Sequence, residues 1–88
     1  MNNQSKSHDA YNNTAQAQRQ RLKKQITEQG SCTTIYAREV LHIQSPASRI
    51  LELKQIENMN IDKIMVIDET AQGSKHMVAK YFLVANND

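Results

Sequence analysis

Among its 88 residues the chain has one cysteine, one proline, two glycines, one phenylalanine and no tryptophan. Each scarcity removes a class of function. Cys32 alone has no partner for an internal disulfide, which excludes a disulfide-stapled scaffold and suits a reducing compartment, so the expected address is the cytoplasm. Cys32 and His42 have no third partner at a zinc-ligand spacing, and three scattered histidines do not compose a metal site. Gly30 and Gly73 are too few for a glycine-rich phosphate loop. No paired carboxylates fall at a plausible cleft, so neither an enzyme nor a cofactor is expected. No apolar run exceeds five residues (64–67 has four and 81–85 five), far below the ~20 residues that cross a bilayer. The first residues, Met1 to Lys6, lead into more polar sequence rather than an apolar core, so a signal peptide is not expected.

What is present suits one small domain. A chain of this length buries only about 60–65% of the surface its unfolded form exposes, enough for a single compact core. The formal charge is +2, unevenly spread. Residues 15–54 carry seven bases against three acids, and the remainder four bases against six acids. A basic first half beside a mildly acidic rest is compatible with a polyanion on one face.

Residues 1–13 read as a disordered polar tail, with four Asn and Tyr11 as their only large apolar side chain after Met1. Residues 14–85 read as the folded domain, and 86–88 as a C-terminal tail. Thr14 is a helix N-cap and Gly30 a left-handed C-cap for a helix reaching about Gln29, with Leu22, Ile26 and, two turns earlier, Ala15 as its thin apolar stripe. Residues 31–33 are a short extended link. A helix of about eight residues follows, capped by Thr33 or Thr34, with Ala37, Val40 and Leu41 as its buried stripe. Ser45-Pro46 is the clearest helix start: Ser at the N-cap and Pro at the first position, where its missing N–H is harmless. The face expected inward on this third helix holds Ala47, Ile50 and either Leu53 or Lys54. β-Branched runs at 61–67 and 76–84 then predict two strands, with Gly73 in their turn. Three helices followed by a hairpin make an α+β fold. Met77, Ala79, Tyr81 and Leu83 share one face of the second strand and Val78, Lys80, Phe82 and Val84 the other, so both faces are largely apolar.

The middle of the chain reads Thr34-x-x-Ala37-Arg38-x-x-Leu41-x-Ile43-x-Ser45-Pro46-Ala47-x-Arg49-Ile50-x-x-Leu53. Ala37 is small enough to let two helices cross closely, Leu41 and Ile43 are apolar residues that fix a tight turn, and Ile50 is an apolar anchor on the next helix. This pattern resembles the helix-turn-helix of winged-helix proteins, and is particularly similar to small proteins of that kind in phages, prophages and other mobile elements. The resemblance covers roughly residues 15–83. It implies a three-helix winged helix-turn-helix with a two-stranded C-terminal β-hairpin as the wing, binding double-stranded DNA as a small transcriptional regulator.

In such modules the amino-terminal end of the second motif helix enters the major groove. That end offers Ser45, Pro46, Ala47, Ser48 and Arg49, with Glu52 one turn later. Ser45 is either a phosphate donor or simply a cap. Arg49 either reaches phosphate or guanine, or pairs with Glu52 or Glu39. Glu52 repels phosphate unless it accepts from cytosine. The run from Arg19 to Lys24 is a solvated face or a set of backbone contacts, with Arg21 and Lys24 as candidates. Lys75 and His76, with Lys63, form a wing tip or ordinary surface. Cys32 beside a helix start is a reactive thiol or, more in keeping with its type, a small buried apolar residue. Val78, Phe82 and Val84 are the candidate surface for a homodimer. The competing use of the same fold is a protein-interaction module, a phage-type inhibitor or adaptor docking on a host or phage protein. No membrane partner is expected.

Overall fold

The computed structural model describes residues 13–85. Nearly all of the expected polar tail (1–12) and the C-terminal tail (86–88) lie outside the described residues. The elements are α1 (Ala15–Gln29), β1 (Ser31–Thr33), α2 (Thr34–Glu39), α3 (Pro46–Ile56), β2 (Ile61–Glu69) and β3 (Lys75–Leu83). The sheet is antiparallel with order β1-β3-β2.

The caps of α1 act as local chemistry dictates. The Thr14 hydroxyl accepts the Ala17 N–H at 3.1 Å, and Gly30, at φ 89°, donates its own N–H to the Ile26 carbonyl. The buried stripe is Gln18, Leu22 and Ile26. Ala15 is exposed, and Gln18 takes the place expected for it one turn later, its side-chain amide donating to the Asn13 carbonyl. A polar residue is tolerated there because that bond satisfies it.

Residues 31–33 are not a mere link. They pair with β3, Ser31 opposite Phe82, Cys32 opposite Tyr81 and Thr33 opposite Lys80, so the sheet has three strands rather than two. Three residues carry no readable period, and this strand exists because β3 has a second edge to offer. The Thr33 hydroxyl then caps α2 by accepting the Tyr36 N–H. That helix has six residues rather than eight. Ala37 is fully buried as expected, but Val40 is exposed and Leu41 only half-buried. The cause is the early exit. His42 adopts φ 58°, which redirects the chain and drives Ile43 into the core, its N–H held by the Ala37 carbonyl at 3.0 Å.

On α3 the buried residues are Pro46, Ile50 and Leu53, spaced i, i+4, i+7. Ile50 is buried as expected, and of the alternatives Leu53 and Lys54 it is Leu53 that turns inward; Ala47, expected inside, is exposed and Pro46 takes its place. Leu22, Ile26, Ile43 and Leu53 are the largest fully buried side chains. They meet Cys32, Ile61, Ala79 and Tyr81, which come from the inner face of the sheet.

The hairpin runs in register from Ile61 opposite Leu83 to Glu69 opposite Lys75. Gly73, at φ 95°, closes its turn. Met65, Ile67 and Met77 continue the inner face beyond the helices and are 55%, 62% and 63% exposed. Val78, Phe82 and Val84 on the outer face are half-buried. The turn is tied back to the helices: the Glu39 carboxylate accepts the Ala71 N–H at 3.0 Å.

Nothing lies within 4 Å of a Cβ built on Gly30, so its requirement is purely conformational. Gly30→Ala is expected to lower the unfolding free energy by about 1–2 kcal/mol, and Gly30→Asn by less, as measured by urea denaturation.

Candidate nucleic-acid interface

The leading end of α3 stands in solvent. Ser45, Ala47 and Ser48 are exposed, while Pro46 is buried beneath them. Ser45 occupies the N-cap position but its hydroxyl makes no cap hydrogen bond. Its carbonyl instead accepts the N–H groups of Ser48 and Arg49, at 3.1 and 3.2 Å. The hydroxyls of Ser45 and Ser48 thus sit at the rim of a helix terminus that favours anions.

Arg49 and Glu52 do not share that rim. Glu52 accepts from Arg49 Nη2 at 2.9 Å and from Arg19 Nη1 at 3.1 Å. The three side chains are only 16%, 29% and 19% exposed, for Arg49, Glu52 and Arg19 respectively. Of the alternatives open to Arg49, the structure contains the pairing with Glu52. The carboxylate that would repel phosphate is turned toward α1 and neutralised there by two guanidinium groups. The Nε atoms of Arg19 and Arg49 are buried with no hydrogen-bond partner among the described residues.

The basic run of α1 is mostly spent inside the molecule. Arg21 donates from Nε to the Leu41 carbonyl at 2.7 Å and from Nη2 to the His42 carbonyl and the Asn13 side chain. It holds the turn between α2 and α3, a role with no signal in local sequence. Lys23 pairs with Glu57 of the segment after α3. Lys24 stays exposed and lies 4.0 Å from Glu28, one helical turn on.

Lys75 and His76 are exposed at the hairpin end, but each faces an acid across the ladder, Glu69 and Asp68. Lys63 is not with them. It sits six residues before Glu69, opposite Tyr81, at the base of the hairpin. There it joins Lys54 at the edge of a shallow pocket, with Ala47 and Leu51 of α3 on the near wall. At the opposite end of α3, Arg38 lines an open depression with His42 and Gln44. Lys54 and Lys63, with Asp62, thus line the side of the exposed face of α3, and Arg38 lies beside the turn that leads into it. Lys54 was discoverable, since it lies seven residues after Ala47 and shares its face once the helix phase is right.

Cys32 is 3% exposed, and burial pushes its thiol up to about 11. Among the described residues no three His, Cys, Asp or Glu side chains are grouped to hold a metal, and no helix is long and apolar enough to cross a membrane.

Removing the shared carboxylate strands two buried guanidinium groups. Glu52→Ala is expected to destabilise the fold by about 2 kcal/mol, and Glu52→Gln by less, in urea titrations followed by circular dichroism. At pH 8 the native Cys32 thiol is protonated and enclosed, so iodoacetamide should label it only on unfolding. Because the folded thiol holds its proton more tightly than the unfolded one, stability should fall as pH rises from about 9 toward 11. The Cys32→Ala chain should lack that decline.

No curated protein and no solved structure matches the chain. The family model for the winged helix-turn-helix domain matches residues 17–86, a span that takes in α1 from its third residue, α2, α3, the turn held by Arg21 and the hairpin. The chain belongs to the winged helix-turn-helix domain family.

Proposed function

We propose that this protein binds double-stranded DNA, with the exposed amino-terminal face of α3 in the major groove. The observation that carries the proposal is the state of that face. Ser45, Ala47 and Ser48 are exposed, and the nearby carboxylate of Glu52 is drawn away and doubly paired. Ser48 can hydrogen-bond a base edge, and Ala47 and Leu51 suit the methyl group of thymine. Lys54 and Lys63 beside that face and Arg38 at the turn, with Lys75 and His76 at the wing tip, supply phosphate contacts. We further propose, from the resemblance of the residue 34–53 pattern to small phage and prophage proteins, a role as a transcriptional regulator of a mobile element, acting in the cytoplasm by binding rather than catalysis. Paired half-sites would call for two copies of the chain.

A second reading keeps the fold and replaces DNA by a host or phage protein. It is favoured by the acids set opposite Lys75 and His76 and by the exposed Met65, Ile67 and Met77.

Anisotropy of a labelled random duplex, titrated across a salt series, separates the two. DNA binding predicts affinity that falls steeply with salt, and a Lys54→Ala/Lys63→Ala chain whose log–log slope is shallower by about 2. Ser48→Glu should abolish binding without changing the melting curve. Absence of binding by the folded wild type at low salt would transfer the assignment to the protein-interaction reading.

A further inference from the structure

We infer that a second copy of this chain pairs antiparallel with the free edge of β2, about a two-fold axis at Val66. The pairing joins two three-stranded sheets into one of six strands. It goes beyond the DNA proposal and shares Lys63 with it, so it is tested without DNA.

The backbone parity of the hairpin is fixed at both ends. The Thr70 N–H donates to Ser74 O at 2.8 Å, and the Val84 N–H donates to Asn60 O at 2.8 Å. Even-numbered residues of β2 therefore bond to β3, since hydrogen-bonded pairs alternate along an antiparallel ladder. The N–H and C=O groups of Lys63, Met65, Ile67 and Glu69 point to the free edge. Two of those N–H groups already have a local acceptor. Lys63 N–H is held by Asp62 Oδ1 and Glu69 N–H by Asp68 Oδ1, both at 2.8 Å. Met65 and Ile67, between them, have no backbone partner on that edge among the described residues, and both side chains are more than half exposed. An apolar, uncovered edge is a template for another strand.

The sequence of β2 selects one self-pairing. About Val66, Met65 meets Ile67 of the second copy, Lys63 meets Glu69, and Val66 meets Val66. By two-fold symmetry the apolar and ionic pairs each occur twice. Lys63 and Glu69 form no ion pair within the chain among the described residues, so both are available. Centring on Met65 would instead set Asp62 against Asp68, and centring on Ile67 would set Met65 against Glu69. The Val66 register itself sets Ile64 against Asp68 on the outer face, but it alone pairs Lys63 with Glu69. It avoids the like charges of the Met65 register and the two apolar–acid mismatches, Met65 with Glu69 and Val66 with Asp68, of the Ile67 register. In the Val66 register odd residues meet odd residues, so both copies present the same face. The two Met65, Ile67 and Met77 patches merge, and both helical bodies lie on one side of the joint sheet. The contact is small, so the dimer belongs to the weak, micromolar class.

Cross-linking and sedimentation of the full chain, without DNA, test the pairing. At the central non-hydrogen-bonded pair the Cα atoms lie about 4.5 Å apart, within disulfide reach. Val66→Cys should form a covalent dimer under oxidised glutathione. Ile64→Cys, about 13 Å from its symmetry mate, should not, nor should wild type with Cys32 enclosed. Lys63→Glu should raise the dimer dissociation constant about tenfold by sedimentation equilibrium, and Lys63→Glu/Glu69→Lys should restore it. A wild type that stays monomeric at millimolar concentration overturns the proposal. So does a dimer indifferent to Lys63→Glu, or one in which Val66→Cys cross-links no better than Ile64→Cys.

Discussion

Ile50 and Leu53, packed against α1 and the sheet, decide which way α3 faces, and Glu52 reinforces the choice. Its two carboxylate oxygens bind Arg49 of the same helix and Arg19 of α1. With that rotation set, Ser45, Ala47, Ser48 and Leu51 must point outward, and Arg49 cannot. A neutral face on the protruding helix follows directly from a charged cluster beneath it. The outward polar chemistry is accordingly hydroxyl and methyl, with cations only at the periphery.

The same cluster explains why net charge says little about this protein. Arg19, Arg21 and Lys23 lie close together in sequence, yet each acts on a different part of the fold: the α3 carboxylate, the carbonyls of the turn, and Glu57 after α3. α1 is thus a strut that reaches across the helix-turn-helix along its whole length. Besides Lys24 and Lys75, exposed cations come from elements that a count of basic runs passes over: Arg38 at the end of α2, Lys54 near the end of α3 and Lys63 at the base of the hairpin.

Local signals in the sequence were reliable where the chemistry is local. Thr14, Gly30, Thr33, Pro46 and Gly73 mark element ends because a hydroxyl, a missing Cβ or a missing N–H acts within a few residues, and the structure uses all five in that way. Ser45 is instructive in the opposite direction: the position was readable, the hydroxyl's partner was not. The third strand was hidden because 31–33 pairs with residues fifty positions later. The start of the inward face of α3 is ambiguous in sequence because Pro46 and Ala47 are equally acceptable inside, and the packing of Ile50 and Leu53 against α1 and the sheet selects Pro46. For Arg49 the spacing leaves a groove contact and a pairing with Glu52 or Glu39 equally open, and only the position of Arg19 on α1 draws Glu52, and Arg49 with it, inward.

The bond between the Glu39 carboxylate and the Ala71 amide links the last residue of α2 to the tip of the hairpin. Together with β1, whose three residues join β3 and pass directly into α2, it encloses the hairpin and the helix-turn-helix in a closed mechanical loop. Both ties act against an independent swing of either part, so the angle between wing and protruding helix is restrained within the molecule. A ligand touching both must match that span rather than induce it.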